Sequence, residues 1–298
     1  MEDASSREGK GHVVLSKYGN TQILSKLSFQ YPLKLISPRL PTQACTSVFM
    51  MSYGGGLVGG DQIDLVVIVE EDCKLALLTQ GSTKVFKERK VPGSESITPP
   101  TTQRLKVTIK EGALLALLPD PIQPFGGSTY IQYQSFEMHP NANLILLDWV
   151  NSGRPARGEN WTLKSFQSRN DILTLSESVS QEQIILRDTL ILNDNIAESM
   201  LPNECFASLV LRGPLLHSFS EGLVSKFRNE DKVRRPSAIR PAPVAKRAIW
   251  TAGMVRDGCC VVKVAGEDGE MVKDLLRELL VVEEMEILLG RDALRALL

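Results

Sequence analysis

The stretch Arg104–Leu118, RLKVTIKEGALLALL, contains two neighbouring segments with different hydrophobic patterns. In the first, Leu105, Val107 and Ile109 alternate with lysine and threonine. This period of two predicts a strand with one buried and one exposed face, as in an antiparallel sheet. The turn residues EGA follow, and then LLALL, which has no polar face and predicts a second strand.

The same rhythm of short apolar segments separated by Gly, Pro, Asn and Asp recurs along the chain, as in an all-β protein. Strands are predicted near 63–70, 73–79, 103–110, 113–118, 129–138, 142–150, 159–168, 171–178, 183–192, 204–212, 243–254 and 258–265. After a cap at Asp268, apolar residues recur at a spacing of three to four, which predicts an amphipathic helix, with further helical turns in 286–298. The predicted fold is mainly β with about two α-helices near the C-terminus, formed as a single domain over 11–298 after a disordered tail at 1–10.

Composition argues against several classes of partner. The 298 residues carry a net charge of -1 and are 43% apolar, so no global basic field favours nucleic acid or an anionic membrane. No run of about 18 apolar residues is present to span a bilayer. Five scattered cysteines without a CxxC motif indicate a reducing compartment. The expected location is the cytoplasm.

The stretch Ser52–Leu65, SYGGGLVGGDQIDL, has five glycines within seven residues. A phosphate-binding loop would need GxGxxG after a strand or GxxxxGK[ST] before a helix, and neither spacing is present. The β-branched run after Gly60 predicts a strand instead of a helix. Tight turns and close backbone approach account for the glycines, and a nucleotide site stays as a remote alternative.

Catalytic motifs are lacking. The three histidines, His12, His139 and His217, form neither HExxH nor a pair with a nearby cysteine, and no GxSxG occurs. The sequence therefore offers no convincing active site.

Several carboxylates stand within or beside apolar segments, where an unpaired charge is costly. They are Asp61, Asp64, Asp120, Asp148 and Glu159. Two readings remain open. In the first, the carboxylates pair with Arg154, Arg157 or Lys84. In the second, they act as weak oxygen ligands that hold a divalent cation loosely. The segment 153–161, GRPARGENW, is either a salt-bridged corner or an arginine patch that grips a partner.

Two further segments interrupt the strand pattern. The polar, proline-containing stretch 87–103 predicts a mobile loop, and the basic stretch 229–247 predicts a crossing segment. The latter and the C-terminal helices are candidate docking surfaces for a helical partner, with ordinary packing against the strands as the alternative.

Five blocks of the chain resemble, in order, the urease accessory protein D family (UreD, called UreH in some bacteria). They are YPLKLISP (31–38), YGGGLVGGD (53–61), LTQGSTKVF (78–86), LLPDPIQPFGGSTYIQ (117–132) and DWVNSGRPARGENW (148–161). The resemblance implies a superhelical body of many β-strands and a non-enzymatic chaperone of urease maturation. The partners that it implies are the urease apoprotein, UreF and the GTPase UreG.

The resemblance also implies that nickel passes transiently through a polar internal tunnel, with no tightly bound cofactor. Candidate lining residues at the matched positions are Asp61, Ser82, Asp120, Asp148 and Glu159. A scaffold that orders the urease apoprotein without carrying metal is the alternative.

Overall fold

A computed structural model describes residues 9–38, 44–91, 93–175, 182–234, 248–294 and 297. The strands, in chain order, are β1 (Lys10–Tyr18), β2 (Thr21–Phe29), β3 (Leu33–Ile36), β4 (Thr46–Ser52), β5 (Gly56–Leu57), β6 (Gln62–Val69), β7 (Lys74–Thr79), β8 (Thr83–Val85), β9 (Thr101–Ile109), β10 (Leu114–Leu118), β11 (Ile122–Pro124), β12 (Thr129–Met138), β13 (Asn143–Asn151), β14 (Gly153–Arg154), β15 (Glu159–Asn160), β16 (Ser165–Leu175), β17 (Glu182–Asn193), β18 (Cys205–Arg212), β19 (Ile249–Met254) and β20 (Cys260–Gly266). The helices are α1 (Ala197–Met200), α2 (His217–Arg234), α3 (Gly269–Leu280) and α4 (Glu283–Leu289).

Two large sheets contain almost all of these strands. Sheet A has the order β17-β16-β12-β9-β6-β1-β2, and sheet B has the order β19-β20-β18-β13-β10-β7-β4-β3 with the short β5, β8 and β11 attached. β14 and β15 form a separate hairpin. The mainly β class and the C-terminal helices are confirmed, whereas the superhelical form of the body stays a prediction.

The chain alternates between the two sheets from β6 to β16. Because each strand of sheet A is followed by strands of sheet B, consecutive strands of sheet A pair in parallel: β6 with β9, β9 with β12 and β12 with β16. β7, β10 and β13 are parallel in sheet B for the same reason. The antiparallel setting predicted for β9 is therefore wrong. Alternation reports only that one face of a strand is exposed, and here that exposed face belongs to a largely parallel sheet.

Two apolar layers hold the structure together. One lies between the sheets and includes Val67, Leu75 and Leu115, and the other lies between sheet B and the helices and includes Leu114 and Leu147. β10 contributes to both layers and is buried at every position, as LLALL predicted. Cys259 and Cys260 likewise belong to different layers, and all five cysteines are free and buried.

The C-terminal helices match the predicted period. The Asp268 carboxylate accepts the Met271 N–H at 2.7 Å and caps α3. The apolar faces of α3 and α4, which include Leu276 and Leu289, pack against sheet B. Ordinary packing thus accounts for these faces. No helix in the described residues is long and apolar enough to cross a membrane.

Several predicted segments differ from the structure. β1 to β4 and the helix α2 were not predicted, and 165–175 is one continuous strand where two were expected. In the loop at 87–103, Lys90 and Ile97 form a β-bridge, which makes the segment a small hairpin. Lys10 already begins β1, while residues 1–8 of the predicted tail and 235–247 of the basic excursion lie outside the described residues.

On the outer face of sheet A, two arginines clamp a buried carboxylate. Arg169 binds Asp171 through Nε (3.0 Å) and Nη2 (2.6 Å), and Arg187 binds it through Nε (2.9 Å) and Nη2 (3.2 Å). The Tyr133 hydroxyl adds a contact at 3.3 Å. Burial raises the pKa of Asp171, but the hydrogen bonds and charges of the arginines outweigh burial and hold this pKa at about 2.

We expect Asp171→Asn to lower the free energy of unfolding by about 2 kcal/mol at neutral pH. Because the folded-state pKa is below the unfolded value, the stabilisation is complete above pH 4 and is lost as the pH falls from about 4 to 2. Urea denaturation at several pH values measures it. Asp64→Asn is the control, since the Asp64–Arg104 pair (3.5 Å) is exposed and contributes little. A constant difference between wild type and Asp171→Asn down to pH 2 would contradict the prediction.

Candidate functional site

The glycine-rich stretch forms turns at one end of the sheets. A short 3₁₀ turn at Tyr53–Gly55 leads into β5, and a second turn leads into β6, which is a strand. Gly60 has φ of 95°, and a Cβ on Gly56 would lie 2.6 Å from the Phe86 ring, so neither position tolerates a side chain. The turn interpretation is confirmed, because these described residues lead into the strands β5 and β6 and not into an α-helix N-terminus that could bind phosphate.

A narrow cleft of about 90 Å³ opens beside these turns. Its lining includes Gly55, Thr79, Ser82 and Gln103. The Ser82 hydroxyl donates to Gln123 Oε1 at 3.4 Å. Ser82 therefore lies at the mouth of the cleft, and Gln103 connects the cleft with the space between the sheets.

From Gln103, polar side chains continue inward along neighbouring strands of sheet A. The Tyr130 hydroxyl lies 3.1 Å from both Gln103 Oε1 and Gln132 Oε1. Gln132 Nε2 then donates to Asp148 Oδ1 at 3.2 Å, which crosses from sheet A to sheet B. This hydrogen-bonded series replaces apolar packing in part of the layer between the sheets.

Asp148 is the charged centre of this series. Besides Gln132, its carboxylate accepts hydrogen bonds from the Ser168 hydroxyl (2.5 Å) and Asn170 Nδ2 (2.8 Å), both from β16. Burial raises the pKa of Asp148, the three hydrogen bonds oppose this rise, and the negative charge of Asp188 adds to it. Burial and the Asp148 charge also raise the pKa of Tyr130.

Asp188 continues the polar interior toward the other end. It pairs with Asn170 across β16 and β17. Its Oδ2 accepts from the Ser208 hydroxyl (2.7 Å) and from Lys263 Nζ (2.5 Å). Ser208 is the register partner of Asp148 in sheet B. The polar path thus extends from the cleft at Ser82 to the partly exposed Asp188–Lys263 pair.

Two acceptors in this interior have no hydrogen-bond partner among the described residues. They are Gln134 Oε1 and Asn170 Oδ1, on side chains that are 5% and 2% exposed. Buried polar atoms are almost always satisfied by protein or water. These acceptors are positions where a water or a cation would complete the hydrogen bonding, and the donor set of carboxylate, amide and hydroxyl oxygens suits a divalent cation that is held weakly.

The other predicted residues lie outside this interior and have local partners. The Asp61 carboxylate accepts the Val58 N–H at 2.9 Å within the turn before β6. Asp120 Oδ2 accepts the Gly81 N–H at 2.7 Å and the Thr79 hydroxyl at 3.1 Å, close to Ser82.

Glu159 forms the salt-bridged corner that was one reading of GRPARGENW. Arg154 binds both of its carboxylate oxygens, and the same guanidinium stacks over Phe125 at 4.1 Å. The hydrogen bond from Arg154 lowers the pKa of Glu159. Within the described ranges, no three His, Cys, Asp or Glu side chains are grouped to hold a metal, so the five predicted residues do not converge on one ion.

Sequence reasoning missed most of the interior residues. They are Gln103, Tyr130, Gln132, Gln134, Ser168, Asn170, Asp188, Ser208 and Lys263. A signal was present in β12, TYIQYQSFEM, where Tyr130, Gln132 and Gln134 share one face and Ile131 and Tyr133 the other. Alternation places both sets correctly, but it does not say that the more polar set faces inward.

Comparisons with known proteins give a consistent result. The family model for the UreD urease accessory protein matches residues 7–296. An uncharacterized urease accessory protein ureD-like from Schizosaccharomyces pombe is 35% identical over 99% of both chains. UreD from Sorangium cellulosum is 32% identical over 92% of this chain and 80% of its own length. Urease accessory protein D from Oryza sativa subsp. indica is 31% identical over 80% and 74%.

Proposed function

The chain belongs to the UreD family of urease accessory proteins, and we propose that it serves urease maturation by passing nickel through its polar interior. In this proposal the protein is a non-catalytic chaperone, nickel is its cargo, and the urease apoprotein, UreF and UreG are its partners. The polar path that leads from the cleft at Ser82 past Asp148 to Asp188, hydrogen-bonded from Gln103 to Asn170, is the observation that supports it best.

The oxygen ligands along the path suit a metal ion that is bound and then released. Carboxylate and amide oxygens bind divalent nickel more weakly than thiolate or imidazole, so each contact is readily exchanged. Asp148 and Asp188 supply negative charge, and the unpaired oxygens of Gln134 and Asn170 supply neutral ligands. The surrounding apolar layers separate this path from bulk solvent.

We expect the thiols of the protein to be weak competitors for the cargo. Burial raises the pKa of each of the five cysteines, which keeps them in the thiol form. A thiolate in the path would bind nickel tightly and retain it. Cys259, which belongs to the layer between the sheets, lies near Arg212, and burial still outweighs that charge.

The Lys263 ammonium has to move before a cation can leave the path at the Asp188 end. Its ammonium bonds Asp188 and Ser208, so a divalent cation that reaches Asp188 has to displace it. The Lys263 side chain is about a third exposed, which leaves it a way out to solvent. In our proposal the ammonium compensates the charge of Asp188 between passages.

We expect Ser82→Trp to reduce nickel-dependent urease activation severalfold while complexes with the urease apoprotein and UreF still form. The indole fills the mouth of the cleft, whose volume is about 90 Å³. Co-expression with urease and its accessory proteins, followed by affinity purification and a urease assay with added nickel, measures both results. Ser82→Ala is the conservative control, and Ser225→Trp places an indole on the exposed face of α2.

The same experiment separates the conduit from a pure scaffold. Full activation by Ser82→Trp would favour a scaffold that orders the urease apoprotein while nickel travels elsewhere. Failure of the wild-type chain to retrieve urease or UreF would remove the proposed partners.

A further inference from the structure

Within the described part of the chain, the outer face of sheet A is not covered by any helix. The helices α2 to α4 pack on the far side of sheet B. At the centre of sheet A, by contrast, the outward side chains of Val66, Ile131 and Tyr133 are 36–38% exposed. Exposed apolar and aromatic side chains at the centre of a flat face are typical of protein interfaces.

Basic side chains surround this centre in two cross-strand rows. One row runs through Lys10, Asp64, Arg104, Tyr133 and Arg169, which are consecutive register partners across five strands. The adjacent row runs through His12, Val66, Lys106, Ser135, Asp171 and Arg187. These rows hold five lysines and arginines against two aspartates, and Glu137 beside them pairs with Lys106 at 2.7 Å. The face is therefore positive in a chain whose net charge is -1.

The arginines of this face are held in fixed positions. Arg169 and Arg187 each bind Asp171 through the Nε–Nη2 edge, so the Nη1 group of each points away from that carboxylate. Arg169 also stacks over Tyr133 at 5.4 Å. Because the guanidinium groups are already ordered and their side chains remain 34% and 46% exposed, little further entropy is lost when they bind a partner.

Two shallow grooves run across this face. One of about 480 Å³ runs along Arg104, Lys106, Tyr133 and Glu137, and one of about 430 Å³ runs along Lys10 and Lys26. Asp64 and Val66 line both grooves. A partner that follows the two grooves would contact basic and apolar side chains together.

We propose that the outer face of sheet A, defined by the two rows from Lys10 to Arg169 and from His12 to Arg187, docks an acidic surface of a partner protein. Nucleic acid fits less well, because Asp64, Asp171 and Glu137 interrupt the positive charge and would repel a phosphate backbone. The sequence pI of about 6.4 also lacks the strong basic excess of nucleic-acid-binding domains. Carboxylates of a protein can instead be spaced to match the arginines and avoid the aspartates.

The test compares wild type with Lys10→Gln/Arg104→Gln/Lys106→Gln, which removes three charges but leaves the Asp171 clamp intact. Lys87→Gln/Arg228→Gln/Arg256→Gln is the matched control, because it removes three exposed cations elsewhere. The probes are poly-L-glutamate, a DNA duplex, and the urease apoprotein, UreF and UreG one at a time. Binding is measured at low salt and near 0.15 M, with thermal denaturation of each variant as a folding check.

We expect the variant Lys10→Gln/Arg104→Gln/Lys106→Gln, here called the face variant, to bind poly-L-glutamate and one of the three proteins with an affinity at least about tenfold lower than that of wild type at low salt. The control variant should bind as wild type does. Equal binding by the face variant and wild type would overturn the proposal. So would equal losses in the face variant and the control, or preferential binding of DNA. If wild type binds poly-L-glutamate through this face but none of the three proteins, the docking surface stands and the proposed role with those partners fails.

Discussion

Replacing Asp148 by asparagine is expected to lower nickel-dependent urease activation by about tenfold or more. The attraction between a cation and the carboxylate is worth about 4 kcal/mol for unit charges 4 Å apart in partly buried surroundings. A loss of only 1.4 kcal/mol already corresponds to a factor of ten. The amide retains the size of the carboxylate, and its hydrogen-bond partners Gln132, Ser168 and Asn170 can reorient to meet it. Only the charge at the centre of the polar path is lost.

The same substitution should not destabilise the fold. Burial places the folded-state pKa of Asp148 above its unfolded value, so the carboxyl favours folding at low pH and this contribution is lost as the pH rises through the folded pKa. At neutral pH the charged carboxylate therefore costs stability. We expect Asp148→Asn to be as stable as wild type or more stable at pH 8, as measured by urea denaturation.

Glu159→Gln is the matched control for Asp148→Asn. The pKa of Glu159 is lowered by its hydrogen bond from Arg154, so its charge stabilises the fold at neutral pH and this stabilisation is lost as the pH falls. We expect Glu159→Gln to lower stability while activation changes little relative to the amount of folded protein. A loss of activation in Glu159→Gln equal to that in Asp148→Asn would count against Asp148 as the centre of the path. So would unfolding of Asp148→Asn.

Trp161→Ala is expected to have the largest effect on stability, a loss of about 3–5 kcal/mol in the free energy of unfolding. The side chain is fully buried in the layer between the sheets, and its indole N–H donates to the Asn203 carbonyl at 2.8 Å. Its backbone N–H donates to Ser152 O at 3.0 Å, which closes the β14–β15 hairpin. The truncation leaves a cavity and an unpaired carbonyl together.

Two variants make this prediction specific. Trp161→Phe refills most of the cavity but leaves the Asn203 carbonyl without its donor, so it should cost clearly less than Trp161→Ala. Tyr18→Ala removes an aromatic ring that is 82% exposed and should change stability by less than about 0.5 kcal/mol. Chemical denaturation of the three variants would contradict the cavity argument if Trp161→Ala unfolded within about 1 kcal/mol of wild type.

The sequence predicts which strand faces are buried better than it predicts how strands pair. Leu105, Val107 and Ile109 are buried as their alternation predicts. The same alternation predicts an antiparallel pair, because a parallel sheet with an exposed face is uncommon. The strands pair in parallel because the chain passes through a strand of sheet B before it returns to sheet A. A local hydrophobic pattern contains no information about this connection.

The carboxylates illustrate a second limit. Asp61, Asp148 and Glu159 all stand beside apolar residues in the sequence, yet a turn N–H satisfies the first and Arg154 satisfies the third. Only Asp148 lies between the sheets, where its partners come from β12 and β16. Asp188 is not predicted from the sequence, because it stands between the polar Arg187 and Thr189 and its contacts with Ser208 and Lys263 come from strands remote in sequence.

The alternation of the chain between two sheets also bears on how the protein folds. The parallel pairs β6–β9, β9–β12 and β12–β16 of sheet A join residues roughly 30 to 40 positions apart, so each of these pairings closes a long loop before its contacts are gained. We therefore expect slow refolding, in milliseconds to seconds or longer, and collapsed intermediates that expose strand edges. During synthesis, the edge of β13 stays open until β18 has emerged, which makes the nascent chain most prone to aggregation in that interval.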